Sequence, residues 1–400
     1  MSQPSSPPIP RRALIGTYGI GLFAGGQWDM MGILIPLFAV FVGLSPSEIG
    51  LVVAARSVLP VLFSIHGGVL MDRFGTRNVA FWLAIFTSVL PLLYPLAGWF
   101  WALATLQLVS GHISTLAMAS GQTLINQLSK GDPTELGRFS FVTRFANFAG
   151  PVLIGFVWHQ LGVWPAFLVI TLWGLLILAS VTLIPNDGNP RHHSTASLKR
   201  FWPRWSDYRE AFALATIPAV AFALAITMIR NGPGSIQASF FVVYLDQIGI
   251  SGTTIGLLTG LSEIFVGIGS LAAGWFAARA QAHWLVIIFV AAAVFFICLT
   301  PLVAHAIPLL VIATAMRGFS QGVNQPLIFS ILSRNVGLNQ QGAAVGLRNS
   351  VNRLANIIVP TAMGYIAEWW GIETSFGIIA IILLSIAVVI AVSVKRKAVF

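Results

Sequence analysis

Gly43-Leu44-Ser45-Pro46-Ser47-Glu48-Ile49-Gly50-Leu51 returns later in the chain as Gly249-Ile250-Ser251-Gly252-Thr253-Thr254-Ile255-Gly256-Leu257, an offset of 249 − 43 = 206 residues. The same register carries Gly68 onto Gly274 and Arg73 onto Arg279. A second register, 353 − 144 = 209, sets Arg144-Phe145-Ala146-Asn147 on Arg353-Leu354-Ala355-Asn356. It also carries Pro151 onto Pro360, Gly155 onto Gly364 and Gly162 onto Gly371. The chain therefore reads as two parallel copies of one unit. When such a chain is hydrophobic, a solute site is expected between the copies, because the halves can rock about it.

Of the 400 residues, 56% are hydrophobic and only 8% are charged, with a mean hydropathy of +0.85. A soluble domain carries roughly a quarter charged residues, so this chain has too few to coat a water-facing surface. Apolar runs separated by short polar turns predict about twelve spanning helices of roughly 20 residues or more. They fall over 13–42, 47–71, 78–97, 101–127, 138–160, 164–184, 217–247, 253–278, 283–303, 307–333, 344–368 and 372–394. The predicted fold class is all-α and integral to the membrane, in two six-helix pseudo-symmetric bundles, 1–184 and 212–400, joined by a cytoplasmic linker, 185–211. Met1 to Pro10 is Ser/Pro-rich and uncharged, without the basic–apolar–small order of a cleaved secretory signal, so the first apolar stretch is expected to be retained as a helix.

The net charge of +10 invites a nucleic-acid reading, but its distribution argues against one. Arg11, Arg12, Arg73, Arg77, Lys130, Arg138, the linker residues Arg191, Lys199, Arg200, Arg204 and Arg209, then Arg279, Arg334 and Lys395-Arg396-Lys397 all fall on one side of the predicted spans. The opposite loops hold only Glu48, Asp246, Glu368 and Glu373. Positive residues mark the cytoplasmic side, so both termini and the linker are expected inside a bacterial inner membrane. The basic excess serves topology and contact with anionic lipid, and no nucleic-acid partner is expected. Within the linker, Asn186-Asp187-Gly188-Asn189-Pro190 is a turn signal, and Arg200-Phe201-Trp202-Pro203-Arg204-Trp205 reads as an interfacial strip or as part of a tether. Cys298 is the single cysteine, so no disulfide forms within the chain, and it reads as a small buried hydrophobe. His192-His193 reads as a solvated loop pair; no metal and no cofactor are expected.

Gly68-Val69-Leu70-Met71-Asp72-Arg73-Phe74-Gly75-Thr76-Arg77 resembles the G-x-x-x-D-[RK]-x-G-x-[RK] loop motif of the major facilitator superfamily, and the drug/proton antiporters in particular. The resemblance spans essentially the whole chain. It implies a conformational latch of Gly68, Asp72, Arg73, Gly75 and Arg77, with Asp72 facing the start of a helix of the other half near Gly342 to Val345, where a helix dipole favours an anion. The second copy has Ala278 in place of the Asp, so the latch is one-sided. Gly150-Pro151-Val152-Leu153-Ile154-Gly155 is similar to the G-P-x-x-G-G end of the exporters' fifth helix, with Ile154 for one glycine. It implies a helix kink built on Gly150, Pro151 and Gly155. The R-x-x-Q-G pattern of the fourth helix is absent, since Ser110-Gly111-His112 stands there; Arg317-Gly318-Phe319-Ser320-Gln321-Gly322 sits in the equivalent tenth helix instead.

A charge near the bilayer centre costs about 2.5–3.5 kcal/mol on insertion scales, so it needs a partner or water. Asp29, Arg56, His112, Arg144, Arg230, Glu263, Arg317 and Arg353 lie near mid-span, on helices 1, 2, 4, 5, 7, 8, 10 and 11 and not on 3, 6, 9 or 12. In the superfamily the first set lines a central cavity. Gly25-Gly26-Gln27-Trp28-Asp29 and Arg230-Asn231-Gly232-Pro233-Gly234-Ser235 weaken both halves' first helices at matching depths, so a break beside the site is expected there, with packing glycines as the alternative. Asp29, ahead of Glu263, is the candidate proton carrier. Asp29 with Arg56 or Arg144, and Glu263 with Arg317 or Arg353, are plausible ion pairs. The surplus of Arg leaves a guanidinium for an anionic solute group. The candidate solute-binding residues are Arg56, His112, Arg144, Asn147, Arg230, Arg317, Gln321, Asn324, Asn352, Arg353 and Asn356, with Gln325 adding a hydrogen bond and Trp28, Phe145 and Phe319 as walls.

The expected function is secondary transport of a small organic solute by alternating access, as proton-coupled efflux by a monomer. The alternative is proton-coupled import of an organic anion. No G-x-x-x-x-G-K-[ST] loop is present for a nucleotide. The scattered His66, His112 and His159 build no nucleophile–base pair, so no enzyme is expected.

Overall fold

The structure, a computed structural model, describes residues 10–129, 132–185, 213–334 and 341–397; the side chains of 64–69, 72, 73, 133, 134, 333, 334, 341–346, 396 and 397 lie outside that description. Helices run α1 Arg11–Phe41, α2 Pro46–Phe74, α3 Thr76–Val89 extended by a 3₁₀ stretch Leu90–Leu96, α4 Phe100–Ser129, α5 Pro133–Leu161 and α6 Val163–Thr182. In the second half, α7 combines Pro218–Ile236, a π turn Gln237–Phe241 and Val242–Gln247. It is followed by α8 Gly252–Ala277, α9 Ala282–Cys298, α10 Ile307–Arg334, α11 Gln341–Trp370 and α12 Ile372–Lys397. No strand occurs among the described residues. Eight of the helices are long and apolar enough to cross a membrane on their own. The other four are α9, at 17 residues, and α7, α10 and α11, which carry arginines and amides mid-length.

The repeated motif is a helix-to-helix turn. Gly43, at φ 79°, and Gly249, at φ 83°, occupy the left-handed region that glycine adopts without strain. Each ends its helix in the same way: Gly43 N–H donates to Val40 O (2.9 Å) and Leu44 N–H to Ala39 O (3.0 Å), while Gly249 N–H donates to Asp246 O (3.0 Å) and Ile250 N–H to Leu245 O (2.9 Å). These pairs satisfy the carbonyls that a helix C-terminus leaves open. Ser45 then caps α2, accepting from Glu48 N–H (3.4 Å) while its own N–H donates to Glu48 Oε2 (2.9 Å). Ser251 caps α8 by accepting from Thr254 N–H (3.3 Å).

The two halves meet along two crossings, α2 on α11 and α5 on α8, with α7 also packed on α1. A methyl group placed on Gly50 would strike the carbonyl oxygen of Pro360, and one on Gly256 that of Pro151. One on Gly364 would lie 2.6 Å from Pro46 O, and one on Gly155 would strike Gly252 O. These contacts are one pair written twice: 256 − 50 and 252 − 46 equal 206, while 360 − 151 and 364 − 155 equal 209. The repeat read in the sequence is therefore the seam itself, and small residues occur there because they let backbones touch. Across α2 on α11 the seam also carries a polar tie, with Ser47 N–H donating to Glu368 Oε2 at 2.9 Å.

Two expectations about helix breaks need correction. α1 runs unbroken through Gly25 and Gly26, which act as packing glycines: a methyl on Gly25 would lie 2.9 Å from Thr143 Cγ2, and one on Gly26 2.9 Å from Trp173 Nε1. α7 does change pitch, but only at Gln237–Phe241, beyond the Gly232-Pro233-Gly234 run.

Candidate functional site

Between the halves lies a cavity of about 260 Å³. Its wall comes from α1 (Trp28, Asp29, Gly32), α2 (Arg56, Ser57), α4 (Gln107), α7 (Asn231, Ser235, Gln237), α8 (Thr259, Glu263), α10 (Arg317, Gln321) and α11 (Asn356, Pro360). Among the described residues, α3, α6, α9 and α12 contribute nothing to it. Helical geometry explains how Asp29 reaches the cavity. Two residues earlier, on the opposite face, buried Gln27 donates from Nε2 to Thr87 O (2.9 Å) and Ile170 O (3.3 Å), bolting α1 to α3 and α6. That leaves Asp29 turned about 200° away, toward the other half.

The charges on the wall are held by neutral groups. Once the Asn147 amide is oriented to suit its neighbours, its Nδ2 donates to Asp29 Oδ2 at 3.3 Å and to Thr143 O at 2.9 Å. Arg56 donates from Nη2 to Trp28 O (2.6 Å), and its guanidinium carbon sits 3.4 Å from the centroid of the Trp28 ring. Arg317, only 1% exposed, donates to Ser262 Oγ and to Gln321 Oε1 (3.1 Å). Among the described residues, Glu263 has no hydrogen-bond or ion-pair partner, and the one ion pair within 4.0 Å joins Arg138 to Glu135, far from the cavity. The ion pairs suggested for Asp29 with Arg56 or Arg144, and for Glu263 with Arg317 or Arg353, are not closed. The physical reason is that Arg56 and Arg317 are spent on carbonyl, hydroxyl, amide and ring partners. The carboxylates still feel each other across the cavity; Arg56 acts on Asp29 at Coulomb range, and Arg317, Arg144 and Arg230 act on Glu263.

The remaining candidates sit behind this wall or away from it. Arg230 donates to Gln325 Oε1 (3.2 Å) and Asn231 Oδ1 (3.4 Å), and Asn231 Nδ2 donates to Asn352 O (2.8 Å). The Arg353 guanidinium lies 5.0 Å from the Trp28 centroid. Asn356 Oδ1 accepts from Ser235 (2.7 Å) on the cavity wall. Asn324 is fully buried with neither amide atom partnered among the described residues. Arg144 is partly buried and does not line the cavity. His112 lies instead edge-on to Phe63, with centroids 6.0 Å apart. Phe145 is exposed, and Phe319 packs against Phe276 and Phe289, so of the three aromatic walls only Trp28 faces the site.

The sequence profile described as Major Facilitator Superfamily matches this chain twice, over residues 17–233 and 220–399. The chain belongs to that superfamily. Its fold is similar to the crystal structure of the nucleoside transporter NupG (TM-score 0.78, 13% identity, covering 96% of this chain and 100% of that one). It is also similar to a POT family transporter in complex with 5-aminolevulinic acid (TM-score 0.75, 11% identity, 96% of each chain). A third likeness is to a bacterial homolog of the human lysosomal transporter Spinster, inward-facing and unoccupied (TM-score 0.74, 14% identity, 98% of each chain). This superfamily member is thus a multi-pass membrane protein and a secondary transporter.

Of the superfamily loop motif, Gly75 is a positive-φ turn (79°) joining α2 to α3. Arg77 donates from Nε to Ile184 O at 2.6 Å, capping the end of α6 within its own half. Gly68 and the side chains of Asp72 and Arg73 lie outside the described residues, as do those of 342–345, the linker 186–212 and both chain ends. α5 remains helical through Pro151. A methyl group placed on its Gly150 would lie 3.0 Å from Gly26 O, while Pro151 and Gly155 belong to the seam.

Several residues on the wall escaped the sequence reading. Gln107 (2% exposed) and Gln237 (7%) are uncharged and drew no attention in a search for membrane charges. Two wall serines, Ser57 and Ser235, escaped it too, although the repeat register could have found them. Asp29 maps to Ser235 and Arg56 to Ser262 (offset 206), Glu263 maps back to Ser57 (206), and Arg317 to Ser110 (207). Each charged wall position has a serine in the matching place of the other half. Arg348, buried and stacked 3.9 Å from the Phe329 ring, was likewise missed.

Proposed function

We propose that this transporter moves a small organic solute outward in exchange for protons, with Asp29 and Glu263 as the proton-carrying groups. The observation that supports this most is Glu263, a carboxylate on the cavity wall without a protein partner among the described residues, facing Asp29 of the other half. An ionised carboxylate there is stabilised either by a proton or by a cationic group of the solute. The two exclude each other, and that competition makes exchange obligatory. The lysine and arginine asymmetry puts the termini and the linker, taken as 185–211 between bundles 1–184 and 212–400, in the cytoplasm of a bacterial inner membrane. The glycine seam then lies at the outer end, and this conformation is closed to the exterior. The fold serves small polar solutes elsewhere, nucleosides in one compared structure and 5-aminolevulinic acid in another.

The second reading, proton-coupled import of an organic anion, draws on Arg56 and Arg317, the two guanidinia on the wall. Proteoliposomes separate the two. An imposed pH gradient should drive solute against the direction of proton movement, and Asp29→Asn should abolish this. Solute moving with protons selects import. Flux indifferent to the gradient in the wild-type protein removes proton coupling altogether.

A further inference from the structure

We infer that the solute of the central cavity is an amino-acid-sized zwitterion, held by its carboxylate at the Arg56 and Arg317 guanidinia and by its ammonium at Glu263 and Asp29. This rests on the transport reading of the cavity and names its substrate class.

Size is the first constraint. A cavity of about 260 Å³ lies just below the roughly 300–1,000 Å³ of typical small-ligand pockets, which suits a small solute such as an amino acid. Charge is the second. Duplication of one unit would have given a wall with matching charges in both halves, yet every charged position here faces a serine in the register of the other half. What remains is one acid and one arginine from each half, Asp29 with Arg56 and Glu263 with Arg317, all on one cavity. None closes an ion pair with another within 4.0 Å among the described residues. A neutral solute would leave Glu263 without a contact partner and Arg56 and Arg317 with neutral partners only, at the cost that intramembrane charges without a contacting counter-ion carry. A purely cationic solute meets the field of Arg144 and Arg230 behind the wall. A purely anionic one leaves Glu263 as it is, without a partner. A molecule bearing both signs satisfies both ends.

The test is a thermal-shift and equilibrium-binding screen of the purified full chain in detergent at pH 7. The probes are the standard amino acids, γ-aminobutyrate, uridine and inositol, and each amino-acid binder is then compared with its deaminated carboxylate and its decarboxylated amine. A zwitterion should raise the melting temperature in a concentration-dependent way. Its carboxylate analogue should bind about tenfold more weakly, the scale of one lost charge-assisted hydrogen bond, and its amine analogue more weakly still. In Glu263→Gln the preference for the zwitterion over its carboxylate analogue should fall to about one, with the carboxylate analogue still bound. The inference is overturned if no zwitterion binds, if the carboxylate analogue binds as tightly as the parent, or if uridine or inositol binds best. Binding in detergent needs no gradient, so failure here leaves proton coupling standing. Conversely, a gradient-independent flux with intact zwitterion binding sinks only the coupling.

Discussion

Glu263 and Arg317 lie on the same wall but differ in what holds them, and the difference predicts opposite responses to substitution. Glu263→Gln removes a charge that no described protein group contacts, so the melting temperature in detergent is expected to hold or rise while proton-driven flux is lost. Arg317→Met strands the Ser262 hydroxyl and the Gln321 carbonyl in a buried site, which costs about 1–3 kcal/mol and is read as a fall in melting temperature. Asp29→Asn should behave like Glu263→Gln, because its one described partner, the Asn147 amide, can still donate to an amide oxygen. A large loss of stability in Asp29→Asn would mark Asp29 as a structural anion instead. At this scale the sequence spoke clearly about charge and poorly about partners. Asp29, Arg56, Glu263 and Arg317 stand out in an apolar chain, and all four line the cavity. The carbonyl and ring that hold Arg56 and the hydroxyl that holds Arg317 come from other helices, and no residue type announces them; only the Gln321 amide lies on the same helix, one turn on. Gln107 and Gln237 stayed hidden because an amide in a membrane helix is not unusual enough to signal a site.

Helices were legible almost to the residue where glycine and serine punctuate them, and less so where pitch changes within an apolar run. The Gly43 and Gly249 turns end α1 and α7 by one hydrogen-bond scheme, so the repeat marked both ends correctly. The π turn at Gln237–Phe241 has no glycine or proline of its own, so the expected break fell on the Gly232-Pro233-Gly234 run before it. The seam glycines yield the next prediction. A leucine at Gly155 must displace the backbone of Gly252, and one at Gly364 that of Pro46 and Ser47; forced overpacking of this kind costs about 1–3 kcal/mol. The substitutions should weaken the closed seam and favour the conformation open at that end. A cysteine at Thr259, on the cavity wall, should then react with a membrane-impermeant maleimide added outside in Gly155→Leu, and not in the otherwise unchanged protein. Equal labelling in both would mean that the seam does not close the outer path.

For the whole molecule, the charge asymmetry of the loops predicts that a cysteine at His192 is labelled by impermeant reagent only from the cytoplasmic side. Labelling from outside would invert every statement about which end the seam closes. Asp72 belongs to the one complete copy of the superfamily loop motif, with Ala278 in its place in the second half. Asp72→Asn is therefore expected to reduce transport strongly while leaving solute binding in detergent near normal; undiminished flux at normal expression would make the motif a turn and nothing more.

The two crossings of the seam have the same backbone contacts but not the same fastening. On α2 and α11, the Glu368 carboxylate holds the first turn of α2 through Ser47 N–H. In the other crossing the matching residues are His159 and Thr253 (368 − 159 = 209; 253 − 47 = 206), and the Thr253 hydroxyl is unpartnered among the described residues. Opening should therefore proceed in order, like a zip with its slider at one end: α5 parts from α8 first, while α2 and α11 serve as the pivot. Distance measurements between spin labels across each crossing would show a population with only the α5–α8 pair separated. Glu368→Ala should erase that order by letting both sides release together.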